Sequence, residues 1–92
     1  MGEIEVKTPE FTRQISVQYE EFDVAAFFDD IMPYVRTPHR LYRQVDEKTT
    51  ELLLGVSHPV LMKVTFDDKK KMEDFIKKLR AYGFRRGDWK WI

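Results

Sequence analysis

Cysteine is absent from the 92 residues, which excludes disulfides, thiolate nucleophiles and cysteine-held metal in one step. The chain must fold on packing alone. Apolar runs are short as well: none approaches the roughly eighteen residues of a membrane-spanning helix, and the amino terminus lacks a basic-then-apolar signal segment. These absences predict a soluble, cytoplasmic protein with no membrane partner. The four glycines form no phosphate-cradling loop and no serine sits in a nucleophile elbow. Only two histidines occur, His39 and His58, each beside a proline and without the helical His-x-x-x-His spacing of a zinc site. Asparagine is missing too, and with 35% of residues charged this leans toward a thermophilic source, against which four methionines weigh.

What is present is charge in balance. Sixteen lysines and arginines meet sixteen acids, so the molecule as a whole exerts no strong pull on nucleic acid or anionic membrane. The balance is uneven along the chain: residues 1–32 carry two basic and eight acidic side chains, and residues 33–92 carry fourteen and eight. Ninety-two residues make a single domain, 1–92, long enough for one core under one sheet. A substrate cleft between domains is excluded by size.

The stretch from His58 to Ile92 organises the rest. Val60 to Phe66 alternates, with Val60, Met62, Val64 and Phe66 on one face and Leu61, Lys63 and Thr65 on the other, the period of a strand. Asp67 stands where a helix N-cap is expected, and Asp68 adds negative charge near the dipole's positive end. Met72, Phe75, Ile76 and Leu79 then build one apolar helical stripe, and Gly83 is placed to stop the helix in a left-handed conformation with Phe84 folding back. Arg86-Gly87-Asp88 turns the chain into a terminal strand, Trp89-Lys90-Trp91-Ile92.

Upstream, residues 1–9 read as a frayed lead-in or short edge strand, and Phe11 to Tyr19 as a half-buried strand with Thr12, Gln14, Ser16 and Gln18 on its polar face. Asp23 caps an amphipathic helix that Pro33 limits or kinks. His39–Val45 and Thr50–Ser57 alternate as two more strands, with Gly55 marking a bulge. Strand, helix, two or three strands, helix, strand is most simply packed as an α+β, ferredoxin-like split β-α-β sandwich, with two helices on one face of an antiparallel sheet of four to five strands. The strands at 11–19 and 60–66 are then central, and the face away from the helices is open or covered by a partner.

No catalytic constellation emerges. Glu20-Glu21, Asp29-Asp30 and Asp67-Asp68 are paired acids, yet neighbours on a helix point about a hundred degrees apart and do not share a ligand. The expectation is therefore a non-enzymatic protein without cofactor, metal or small-molecule substrate. It is an interaction module, a small accessory subunit of a larger assembly, in which a protein partner or a second copy meets Gln14, Ser16, Gln18 and Thr65 on the open sheet face, or Trp89 and Trp91 on the terminal strand. The two tryptophans serve as core if buried and as an interface anchor if exposed. The alternative is an RNA-binding accessory. Two basic, aromatic-interleaved stretches, 34–43 and 77–91, offer Arg36, Arg40, Arg43, Arg85, Arg86 and Lys90 to phosphates. The polar sheet face itself carries no aromatic on which a base could stack.

Overall fold

A computed structural model of the chain describes residues 4–9, 11–17, 23–35, 39–55 and 59–92. The elements are β1 (Ile4–Val6), β2 (Phe11–Val17), α1 (Val24–Val35), β3 (Arg40–Gln44), β4 (Thr49–Leu54), β5 (Val60–Phe66), α2 (Lys69–Ala81), β6 (Arg85–Arg86) and β7 (Trp89–Trp91). The class is α+β. The five-stranded sheet has the order β2-β5-β4-β3-β6, and β1 pairs with β7 in a separate two-stranded ribbon.

The sheet is mixed, and this corrects the antiparallel, ferredoxin-like expectation. β5 lies beside β2, but parallel to it, Phe11 opposite Val60 through Val17 opposite Phe66. β3, β4 and β5 form an antiparallel meander, and β6 joins β3 in parallel. The cause is parity: three strands stand between the helices, where a split β-α-β unit has two, so the strand reaching β2 arrives in the same direction. β2 stands at the edge and not at the centre because the strand that follows α2 pairs with β3 at the far side of the sheet.

Alternation along each strand decides which side meets the helices. Val17 from β2, Tyr42 from β3, Leu52 and Leu54 from β4, and Val60, Met62, Val64 and Phe66 from β5 share one core with Phe27, Phe28, Ile31, Met72, Phe75, Leu79 and Phe84. Both helices therefore lie on this inner face. They also touch each other, the Phe27 and Phe75 rings meeting edge-on at 5.1 Å between centroids. Burying each of these large side chains is worth about 1.5–3 kcal/mol, which is why the stripe of α2 cannot sit in water.

Local signals locate the helix ends to within a few residues. Asp23 Oδ1 accepts the Ala26 amide at 3.1 Å, the cap expected for α1. That helix continues two residues past Pro33 to Val35. At α2 the cap is Asp68 and not Asp67: the Asp68 side chain accepts the amides of Lys70 and Lys71, while the Asp67 amide still donates to the Val17 carbonyl at 3.1 Å and so belongs to the sheet. At its other end α2 closes as the glycine predicts. Gly83 has φ of +87°, its amide donates to the Arg80 carbonyl and that of Phe84 to the Leu79 carbonyl, satisfying the last orphan acceptors.

The outer face is where expectation and structure part. Leu53 is 0% exposed, although it points away from the helices. It is covered by the chain's own termini: Val6 and Trp89 pack on it, with Ile4, Leu41, Leu61 and Trp91 around them. The short lead-in is thus a true strand, pairing in parallel with the last one, Ile4 opposite Trp89 and Val6 opposite Trp91. Neither segment would be stable alone, since an isolated two-stranded pair is marginal in water. The sheet holds the ribbon.

Candidate functional site

The registers define transverse rows across the outer face. One row runs Thr12, Leu61, Leu53, Leu41; the next Gln14, Lys63, Glu51, Arg43; the third Ser16, Thr65, Thr49. The ribbon caps the apolar end of the first row. Arg43 leaves the second row to bond Glu51 Oε1 through Nε at 2.8 Å and to donate to the Trp89 carbonyl, with its guanidinium 4.1 Å above the Trp89 ring. In the third row the hydroxyls of Thr49 and Thr65 are 3.3 Å apart. On the β2 side of all three rows nothing covers the sheet among the described residues: Thr12, Gln14, Ser16 and Thr65 are exposed.

Gln14, Ser16 and Thr65 are therefore brought together as one uncharged, solvent-facing strip, with Lys63 half-buried at its inner border. Gln18, assigned to the same strip from the sequence, lies outside the described residues. The tryptophans divide. Trp89 is 2% exposed and is a core residue of this chain, the centre of the outer cluster. Trp91 is half-buried, its ring at 6.3 Å and 68° to that of Trp89. Of the two uses open to the terminal strand, Trp89 takes the core one, which removes it from the partner-binding residues, and Trp91 packs on the same cluster while half exposed. The reason is the hydrophobic patch of Leu41, Leu53 and Leu61, which needs a large flat cover.

Among the described residues the cations of the RNA alternative divide between the two faces of the sheet. Arg36 lies outside the described residues. Arg40 is on the helix side of the sheet, its guanidinium 3.5 Å from the Tyr82 carbonyl at the end of α2, where a positive charge meets the negative pole of the helix. Arg43 is on the opposite side and engaged as described. Arg85 pairs with Leu41 and Arg86 with Tyr42, so these exposed neighbours alternate between the two faces. Lys90 is exposed and faces Glu5 across the ribbon.

For acid–base or metal chemistry the arrangement offers little. Arg13 on β2 is ion-paired with Asp30 on α1, which places one acid of the Asp29-Asp30 pair in a structural contact. The acids at 20 and 21 and His58 are outside the described residues. Among the described residues no three His, Asp or Glu side chains come together around one point, and no helix is long and apolar enough to cross a membrane. The Asp46 carboxyl is held below its usual range, chiefly because it accepts the Lys48 amide in the β3–β4 turn. That is a turn-stabilising bond in open solvent.

Sequence reasoning missed two things here. It overlooked Leu53, whose signal was the unbroken Leu52-Leu53-Leu54 run of a strand buried on both faces. It also did not find the second sheet, because residues 4–6 and 89–91 are too short to announce a pairing across the whole chain. No family model matches this chain, and no curated protein or solved structure does either.

Proposed function

We propose that this chain is a non-enzymatic interaction module, a small accessory subunit of a larger assembly, that binds a protein partner through the uncovered half of its outer sheet face. The observation that carries the reading is the asymmetry of that face: β1 and β7 close the side over β3 and β4, whereas Thr12, Gln14, Ser16 and Thr65 are left together in solvent on the side of β2 and β5. A strip that is polar but uncharged loses little on desolvation if its hydroxyls and amide find partners, and repels no approaching surface. Trp89 has no part in this contact, because it already fills the chain's own outer core.

The test is a photo-crosslinking side chain placed in turn at Ser16, Thr65 and, as a control, Glu73 on the exposed side of α2. A specific adduct from Ser16 and Thr65, abolished by Thr65→Arg and absent from Glu73, is the expected result. Turnover of a metabolite or nucleotide that depends on Asp29, Asp30 or His39 sinks the reading. RNA binding that falls steeply with salt and disappears on Arg85→Glu with Arg86→Glu replaces it by the RNA-binding alternative.

A further inference from the structure

The two edges of the five-stranded sheet are built differently. At one edge β6 is two residues long, both arginine, and is followed by Gly87, whose amide returns to the Tyr42 carbonyl at 3.0 Å. Short and charged, it is protected in the way natural edges are. At the other edge β2 runs seven residues with no proline, no lysine and no bulge. In a parallel pair each residue turns both backbone groups to the same side, alternating along the strand. The Asp67 amide donates to the Val17 carbonyl, so Val17, Ile15, Arg13 and Phe11 face β5. Thr12, Gln14 and Ser16 accordingly aim their N–H and C=O groups out of the sheet, and no described residue bonds to them.

We propose that this edge pairs with the β2 edge of a second copy, antiparallel about a twofold axis through Gln14, joining two five-stranded sheets into one. The inference rests on the reading of the chain as an interaction module and names its partner surface. Twofold pairing sets Gln14 opposite Gln14 of the second copy and Thr12 opposite Ser16, each pair exchanging two backbone hydrogen bonds. A twofold axis sets the central residue against itself, so a charge at that position is repelled, and a strip of uncharged residues meets its own copy with no like-charge contact. Such a strip is what β2 carries on its outer face, in a chain with 35% charged residues. Threonine and serine facing each other are a favourable cross-strand pair. On the inner side the one charged residue of the strand, Arg13, is already neutralised by Asp30 and lies opposite Ile15 of the other copy. A formal net charge of zero leaves no long-range repulsion between copies.

Light scattering on the full chain over a wide concentration range, with amide exchange at low and high concentration, tests this. The mass is expected to rise from one chain to two. The amides of Thr12, Gln14 and Ser16 should gain protection only as it rises, while those of Arg13, Ile15 and Val17 are protected throughout. Thr12→Lys with Ser16→Lys creates two like-charge pairs across the axis and should weaken association about tenfold, as should Thr12→Glu with Ser16→Glu. Gln14 is left unchanged because Lys63 is its neighbour within the chain. Mixing the two double variants in equal amounts turns every repulsive pair into an attractive one and restores the dimer, a rescue that misfolding does not allow. A single-chain mass at millimolar concentration, or a dimer indifferent to these charges, overturns the pairing. A single-chain mass accompanied by crosslinks to a different protein from Ser16 and Thr65 overturns it while leaving the interaction module standing.

Discussion

The two faces of the five-stranded sheet are finished in different ways. On the inner face, two helices of twelve and thirteen residues lay broad apolar stripes over the sheet, and Leu52, Val64, Met72 and Leu79 are all 0% exposed. On the outer face the cover is a ribbon of three residues from each end of the chain, which hides Leu53 and leaves the β2 side in water. A helix presents apolar side chains along its whole length at fixed spacing, whereas a three-residue strand presents one or two. Coverage of the second face is therefore partial by construction, and its open half is the surface we propose meets a partner.

The contrast is broken most severely from the inside. Phe75→Ala removes a ring in contact with Phe27, Phe28 and Phe66 and should cost about 3–5 kcal/mol, a large fraction of the roughly 5–15 kcal/mol by which a domain of this kind is stable. Urea denaturation followed by circular dichroism should show one transition at a far lower midpoint. Trp89→Ala should cost less, about 3 kcal/mol, because its small cluster can give way by releasing the ribbon. Amide exchange should then accelerate at 4–6 and 89–91 while the β4 and β5 amides stay protected. If this variant instead unfolds the helices as readily as Phe75→Ala does, the two faces form one cooperative unit and the contrast between them fails.

A finer probe lies in the turn that joins β3 to β4, beneath neither layer. The folded Asp46 carboxyl titrates below its ordinary value of 3.8, first because of the Lys48 amide and secondarily through the Thr49 hydroxyl and amide. A depressed carboxyl stabilises the folded state fully above its unfolded value and loses that contribution as pH falls through the folded one. The stability of the parent chain should thus drop slightly faster below pH 3.8 than that of Asp46→Ala, a small difference measurable by denaturation at paired pH values.

Much of the inner layer was legible before any coordinates. The alternation of Val60, Met62, Val64 and Phe66 and the stripe of Met72, Phe75, Ile76 and Leu79 are local patterns, and all of these side chains are buried where those patterns point except Ile76, which packs half-buried against the same core. The stop at Gly83 and the cap at Asp23 are equally local. The N-cap of α2 slipped by one residue because two aspartates stand in succession and only the sheet bond of Asp67 decides between them. The candidate strip around Gln14, Ser16 and Thr65 could be read as polar, but whether it was open depended on where the termini ran.

The sequence by itself determined which side of each strand and helix is apolar and, to within a few residues, where the helices begin and end, because these depend on residues within a few positions of one another. Tertiary structure alone decided that β2 stands at an edge, that β5 runs parallel to it, and that Trp89 closes Leu53 while Thr12, Gln14 and Ser16 stay in solvent. Strand direction follows from the number of strands between the helices, and burial of the second face follows from segments some eighty residues apart in the chain meeting over it. A local pattern of apolar residues says that a surface must be covered. Only the packed chain shows what covers it.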